Sequence, residues 1–296
     1  MARGIIYAII SACAFGLLPV FGKIGYAHGM DTFEILQYRF VFGFLMLAGY
    51  FAVTNPSLFR ISRKSLIKAA ALGFIAYPMQ STGYIGAVKY IPASTTALII
   101  YGYPALVTIL SALIFKERIT RSLTTSLVLI FAGCALVFFD AFQHEADIRG
   151  IAYAISCMLG ITVNMLLAQV LLKGENPLAV TLYVLFFAGA FFSCIAGVPT
   201  HFFELDRTGV ILALSLGLVP TVFAIVFMYL AIDTVGGTYT SIFSCVEPIT
   251  TVFCAWLLLG EPLVAWQIFG AALILTGIVW PNLKFIRMAL AEAHPA

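Results

Sequence analysis

The sequence predicts an all-α polytopic membrane protein with ten transmembrane helices, arranged as two inverted five-helix repeats. Three observations predict this class: an apolar composition, a series of apolar runs about 20 residues long, and an internal repeat. Hydrophobic residues make up 62% of the 296 residues and charged residues only 10%, whereas soluble domains carry about 25% charged residues. Such a chain cannot cover a water-facing surface, so it must lie in lipid, which only helices and closed barrels span.

The apolar runs have the length of helices rather than of barrel strands. A helix needs about 20 residues to cross a bilayer core of ~30 Å, and a barrel would show short alternating segments instead. Turn and capping residues mark the starts: Asp31 with Glu34 resembles a capping box, and Asn176-Pro177 and Pro92 place proline in a first turn. The predicted spans are residues 4–27, 32–54, 66–88, 92–115, 121–139, 149–172, 177–198, 208–232, 236–259 and 263–283.

The internal repeat explains why the spans come in two sets of five. "RGIIYAII" at Arg3 returns as "RGIAYAI" at Arg149, and "TALIIYGYPALVTILSALIFKERI" aligns with "TSIFSCVEPITTVFCAWLLLGEPL" at an offset of 144. Since five spans are an odd number, the second copy must enter the membrane from the opposite side. We therefore predict one repeat over residues 1–143 and an inverted one over 144–296, an architecture typical of transporters with a site near the midplane.

Positive charges predict the orientation. With the N-terminus inside the cell, eleven Lys and Arg residues fall on the cytoplasmic side and three on the outer side, and Lys23 and Arg39 lie within spans. Cytoplasmic loops carry the excess of Lys and Arg, so both termini are expected in the cytoplasm.

Several function classes lack the residues they would need. The one basic cluster, Arg60–Lys68, lies beside a span, so nucleic acid is not an expected partner. The six cysteines show no C-x-x-C spacing, so neither a disulfide scaffold nor a metal site is expected. The four histidines fall in loops or the tail, and hydrolase and Walker motifs are absent, so we expect no enzyme and no cofactor.

The motifs resemble a known family over essentially the whole chain. They are Arg39-Phe40 in span two, a mid-span proline in spans four and nine, and a glutamate just after each of those spans. Together they resemble EamA-type members of the drug/metabolite transporter (DMT) superfamily, and among these the bacterial aromatic amino acid exporters of the YddG type. One departure is Lys116, where the family usually has glycine. The resemblance implies a multi-pass protein of the bacterial inner (plasma) membrane.

Intramembrane prolines and charges are the first candidate functional residues. Proline removes a helix hydrogen bond, so the mid-span prolines are either hinges or tolerated packing kinks; they are Pro19, Pro78, Pro104, Pro220 and Pro248. Glu247 lies about 17 Å along its span, where it either binds a substrate amine or a proton, or makes a structural interhelical contact. A pair with Arg39 favours the structural reading, and Lys23 is expected to reach the outer interface.

Aromatic and polar residues near the predicted midplane form the second candidate set. They are suited to stacking against a ring and hydrogen-bonding a polar end, although tyrosines near span ends also form the interfacial belt. The set predicted to bind substrate is Tyr77, Gln80, Ser81, Tyr84, Thr95, Ile99, Tyr101, Tyr103, Asn164, Phe223, Tyr239 and Ser244.

The sequence therefore predicts a monomeric secondary transporter that lies among membrane lipids and exports small metabolites by alternating access around a midplane cavity. The resemblance favours amino acids, aromatic ones first. One alternative is a DMT-type transporter of a drug-like cation or a nucleotide sugar. An intramembrane enzyme, the alternative of another class, is disfavoured.

Overall fold

The computed structural model describes residues 2–91, 93–139, 147–197, 200–260, 262–280 and 282–283. The predicted repeat boundary at 143/144, Pro92, Glu261 and the tail from residue 284 lie outside the described residues. Within them the secondary structure is helical. The α-helices are α1 (Ala2–Gly16), α2 (Leu18–Ala27), α3 (Thr32–Thr54), α4 (Arg63–Ala71), α5 (Tyr77–Tyr90), α6 (Ala93–Ile100), α7 (Tyr103–Phe115), α8 (Arg121–Val137), α9 (Ile148–Leu171), α10 (Pro177–Ala196), α11 (Arg207–Gly217), α12 (Ala224–Phe243), α13 (Glu247–Leu259) and α14 (Ala265–Val279).

Six helices of the described residues are long and apolar enough to cross a membrane. One of them is a run of 53 residues, Arg207–Leu259, which bends at Gly236, where φ is 79° and ψ is 165°. Glycine is suited to this positive φ because it has no Cβ. Two shorter apolar helices, α8 and α14, accompany the six. The chain is thus a multi-pass membrane protein, and the count of ten spans stays a prediction.

Helix starts agree with the capping residues read from the sequence. The Asp31 carboxylate accepts hydrogen bonds from the backbone N–H groups of Phe33 and Glu34, and the Glu34 carboxylate accepts one from the Asp31 N–H. This completes the predicted capping box. Asn176 caps α10 in the same way, with Pro177 in the first turn.

Each of the five mid-span prolines lies at an interruption of its helix. Pro78, Pro220 and Pro248 lie in or just after a π or 3₁₀ segment, namely Leu72–Ala76, Leu218–Phe223 and Ser244–Val246. Pro19 and Pro104 follow the breaks between α1 and α2 and between α6 and α7. Pro220 lies inside the second π segment, and the other four prolines occupy the first turns of α2, α5, α7 and α13. Proline cannot donate the helix hydrogen bond, so interruptions at these places follow. Their role as hinges stays a prediction.

The interruptions and closest contacts repeat at the offsets of the sequence repeat. The two π segments start 146 residues apart, at Leu72 and Leu218. Close approaches are also matched: Gly133 packs against Ile274, and Gly277 packs against Ile130. Each contact maps onto the other at an offset of 144. The contact of α1 with α12 corresponds to the contact of α9 with α5 in the other repeat. The helices α8 and α14 correspond to each other, and they pack together.

The bundle has two ends, named here by their residues. The terminal face holds the start of α1, the connections 55–62, 116–120 and 172–176, and the bend of α12 at 233–237. Contacts that bring these segments together include Gly4 with Val235, Ser65 with Glu175, and Asn282 with Ser126. Hydrogen bonds from the Ser62 and Ser65 hydroxyls lower the pKa of Glu175, which lies in one of these connections.

The far face holds residues 28–31, Ile91, Gly197 and 200–206, together with the start of α9. There the Gln37 amide donates to the Gly197 carbonyl at 2.8 Å, and His28 lies 4.0 Å from Asp206. Between the two faces, many large apolar side chains point outward, Leu113 at 71% and Phe269 at 69% exposed among them. Apolar surface at this level is suited to lipid contact.

Candidate functional site

Charged and aromatic side chains meet near the middle of the bundle, and we call this group the polar centre: Arg39, Tyr84, Tyr101, Tyr103 and Glu247. Three members of the polar centre lie at two helix interruptions. Tyr101 lies in the break between α6 and α7 and Tyr103 begins α7, while Glu247 begins α13 directly after the 3₁₀ segment. The offset of 144 relates the two breaks. The repeat therefore places Tyr101, Tyr103 and Glu247 at a similar depth in the bundle.

Arg39 is held by protein groups on every side. Its guanidinium donates to the Thr221 hydroxyl at 2.9 Å and to the Pro220 carbonyl at 3.0 Å. Both acceptors belong to the π segment, where the irregular backbone leaves carbonyls free of the usual helical partners. The guanidinium also lies over the rings of Phe15 and Phe40, at 5.8 and 5.0 Å from their centroids. Arg39 is 3% exposed, so its charge is compensated by hydrogen bonds and ring faces.

Glu247 does not form the ion pair with Arg39 that the sequence suggested. No ion pair joins these two side chains among the described residues, and the hydrogen bonds of Arg39 go to Pro220 and Thr221 instead. The two charges remain close enough to attract each other. The Tyr101 side chain lies next to the Glu247 carboxylate. A carboxylate accepts several hydrogen bonds, so Glu247 is suited to bind a further donor.

Three members of the polar centre keep part of their surface exposed. Glu247 and Tyr101 are half-buried, and Tyr84 is 37% exposed. The Tyr101 ring stacks on Phe138 at 5.7 Å and meets Tyr103 at 6.4 Å. A carboxylate and several tyrosines thus lie close together without being fully buried.

The terminal-face side of the polar centre is closed. Tyr103 is 3% exposed, Ser241 and Ile242 are fully buried, and the Tyr103 hydroxyl donates to the Ser241 carbonyl at 3.5 Å. The chain is therefore closely packed between the polar centre and the terminal face.

A set of hydrogen bonds joins three helix ends at the terminal face, and we call it the terminal latch: Glu117, Gln169, Gly237 and Thr238. The Gln169 amide donates to one Glu117 oxygen at 3.0 Å, and the Thr238 hydroxyl donates to the other at 2.8 Å. The Gly237 N–H donates to the Gln169 carbonyl oxygen at 2.9 Å. The sequence showed Glu117 as a repeat match but missed its partners, because they lie 52 and 121 residues away.

The other predicted lining residues are divided between core and surface. Tyr77 is fully buried against Phe40, and Asn164 accepts a hydrogen bond from Tyr229 at 3.4 Å. Phe223 is 45% exposed beside Phe227. Gln80 and Ile99 are half-buried, Ser81, Thr95 and Ser244 are buried, and Tyr239 lies near Glu117. Their roles in substrate binding stay predictions.

Lys23 lies apart from the polar centre. It is exposed near the far face, where it lines a cleft between α2, α13 and the start of α14 together with Pro19, Thr251, Leu259 and Gln267. In the described part of the chain, no group of three His, Cys, Asp or Glu residues is placed to hold a metal ion.

Arg39→Lys is expected to destabilise the protein while its charge is kept. Lysine cannot reproduce the fork that reaches Thr221 and Pro220, and a hydrogen bond of a charged group contributes about 1.5–3 kcal/mol. We expect a lower apparent Tm in detergent, measured by loss of the monodisperse species on heating. Arg207→Lys, at an exposed position, is the control. An equal, small change in both variants would contradict the structural role of Arg39.

Comparison with known proteins gives one family. The EamA-like transporter family matches the chain twice, over residues 2–139 and 148–283. An uncharacterized transporter of Archaeoglobus fulgidus is 27% identical over 275 residues, which cover 92% of this chain and 93% of that protein. The uncharacterized transporter YcxC of Bacillus subtilis is 23% identical, over 98% of this chain and 96% of that one. A protein of known crystal structure shares the fold, with a TM-score of 0.80 and 14% identity over 96% of this chain and 98% of that one.

Proposed function

Since the chain belongs to the EamA-like transporter family, we propose that it is a secondary transporter that exports amino acids, aromatic ones first, by alternating access at the polar centre. Its relatives are transporters, so the transporter role itself is shared by the family. The observation that carries the proposal is the half-buried Glu247 carboxylate, which lies at a helix break beside tyrosine side chains.

The chemistry of the polar centre supports an amine-bearing substrate. A carboxylate in a site of low dielectric attracts a cationic group strongly, and an ammonium group supplies three hydrogen-bond donors for it. Tyr84 and Tyr101 offer ring faces and hydroxyls beside it. An amino acid with an aromatic side chain satisfies both kinds of group at once.

The same acid also suits a drug-like cation, which is the second candidate. A nucleotide sugar is less suited, because its phosphates require cations, and the polar centre offers only Arg39, whose donors already bind Pro220 and Thr221.

The proposed topology has ten passes, with Arg207–Leu259 counted as two, and an inverted repeat about the α8–α14 contact. It is supported by the matched contacts of Gly133 with Ile274 and Gly277 with Ile130. The excess of Lys and Arg supports a cytoplasmic terminal face, with both termini on that side of the bacterial inner membrane. We take the working unit to be a monomer.

Transport in proteoliposomes tests this function. Purified protein is reconstituted, and uptake is measured for labelled phenylalanine, tyrosine, tryptophan, leucine, a sugar and a lipophilic cation, with protein-free liposomes as the control. Adding 3-phenylpropionate, which lacks the amino group, as a competitor tests the role of the amine. We expect uptake of the aromatic amino acids and little competition by the amine-free acid. Uptake of the cation alone would favour the second candidate, and uptake of no amino acid would overturn the proposal.

A further inference from the structure

The terminal latch lies where the ends of three helices must separate if the terminal face is to open. Glu117 follows α7, Gln169 is near the end of α9, and Thr238 lies just beyond the bend of α12 at Gly236. Three hydrogen bonds of 2.8–3.0 Å connect these ends through three side chains and the Gly237 N–H. Neither Glu117 nor Gln169 reaches the polar centre, so the proposed substrate site leaves this cluster unexplained.

The residue before Glu117 has a left-handed backbone conformation at the C-cap of α7. Lys116 has φ 57° and ψ 32°, the only positive φ of a non-glycine residue in the described chain. Gly260, which the repeat aligns with Lys116, has nearly the same conformation, with φ 68° and ψ 20°. A residue with a Cβ pays about 1 kcal/mol or more for this conformation, and such strain persists where surrounding contacts hold it. The contacts of Glu117 are those of the latch.

The repeat places related chemistry at the corresponding positions of the other copy. At an offset of 144, Glu117 corresponds to Glu261 and Thr238 to Ser94, and at an offset of 146, Gln169 corresponds to Lys23. An acid, a hydroxyl residue and a residue able to donate a hydrogen bond thus occur at corresponding positions of both copies of the sequence. The residue types of the latch therefore follow the repeat.

We propose that the terminal latch is the gate that holds the terminal face shut, and that it opens and closes in every transport cycle. The inference rests on the proposed alternating access. Closure above the latch is passive packing, by Tyr103, Ser241 and Ile242, whereas the latch supplies directional bonds that two rigid halves can break and remake. Weakening it should shift the population towards a state that is open at the terminal face.

Accessibility of residue 241 tests the gate without any substrate. Ser241 is fully buried one turn above Thr238, so a cysteine there reports whether the path below the polar centre is open. Ser241→Cys is made in a chain whose six cysteines are replaced by alanine, and a membrane-impermeant maleimide is added to inside-out and right-side-out vesicles. Vesicle orientation identifies the face from which the label enters.

A charge swap gives the decisive comparison. Gln169→Glu removes the donor to Glu117 and sets two carboxylates side by side, so labelling from the terminal face should rise roughly tenfold, as expected for one hydrogen bond of a charged group. In Glu117→Gln/Gln169→Glu the amide and carboxylate exchange places: Gly237 donates to Glu at 169, Gln at 117 donates to that carboxylate, and Thr238 donates to the Gln oxygen. Labelling should return to the parent rate.

Two further variants provide an independent test of the latch and its control. Thr238→Val removes a single donor to the same carboxylate and should raise labelling roughly tenfold as well, even if Gln169→Glu folds poorly. Thr234→Val is the matched control, because the Thr234 hydroxyl donates only to Leu230 within α12, and it should leave the rate unchanged. Parent-level labelling in Gln169→Glu and Thr238→Val, or no recovery in the swapped chain, would overturn the gate. A failure of amino acid uptake would contradict the proposed function without changing these rates.

Discussion

Glu247→Gln is expected to weaken transport of an amine-bearing substrate by tenfold or more while the protein still folds. Glutamine keeps the size of the side chain and a carbonyl oxygen for Tyr101, but it removes the charge that would bind an ammonium group. The hydrogen bonds of a charged group contribute about 1.5–3 kcal/mol each, which corresponds to at least about tenfold in affinity. The measurement is the substrate concentration dependence of uptake in proteoliposomes, with apparent Tm recorded on the same preparations.

The control and the double variant separate this role from a structural one. Glu175→Gln, in the connection between α9 and α10, should leave uptake unchanged. A structural partnership with Arg39 would instead lower the Tm of Glu247→Gln, and Arg39→Gln in the same chain would recover part of the loss, since no charge would then be left unpaired. Arg39 already binds Pro220 and Thr221. We therefore expect the double variant to be less stable than both the parent chain and the single variant Glu247→Gln.

Gly133→Val is expected to abolish or strongly reduce the yield of folded protein. A Cβ at Gly133 would lie 2.8 Å from the Gly270 carbonyl oxygen and 2.8 Å from the Ile274 N atom. Both are backbone atoms of α14, so α8 and α14 would have to move apart. Overpacking of this kind costs about 1–3 kcal/mol or more, and helix pairs in membranes depend on such small residues. The measurement is the monodisperse fraction after extraction and its apparent Tm.

Gly49→Val in α3 is the matched comparison. A Cβ at Gly49 meets no atom within 4 Å, while the substitution brings the same β-branched side chain into a helix. We expect a folded yield near that of the parent. Equal losses in the two variants would show that helix propensity, and not the α8–α14 contact, decides the outcome.

The sequence predicted the helix positions well because its signals there are local. The Asp31 capping box, the cap at Asn176 and the breaks at Pro104, Pro220 and Pro248 each depend on residues a few positions apart. The repeat also predicted that two of these breaks lie at equivalent depths, since it aligned Pro104 with Pro248. The π segments were missed, because hydropathy does not distinguish a π turn from an α turn.

The site was predicted less completely, because its groups come from distant segments. Glu247 and Arg39 were found as charges inside apolar runs, but the direct ion pair that the sequence left possible does not form: the Arg39 donors are bound to residues 181 and 182 positions away. Gln169 and Thr238 gave no signal at all, since single polar residues near a span end are common in any membrane helix.

By itself the sequence determined that the chain is a helical membrane protein, where its helices begin, and that two copies of one unit follow each other. The tertiary structure alone decided which side of each helix faces the polar centre, where Arg39 is bound, and that Glu117 and Gln169 meet. The physical reason is that lipid is as apolar as the protein core. Core-facing and lipid-facing residues are therefore both apolar, and the periodicity that reveals the buried face of a soluble helix is lost.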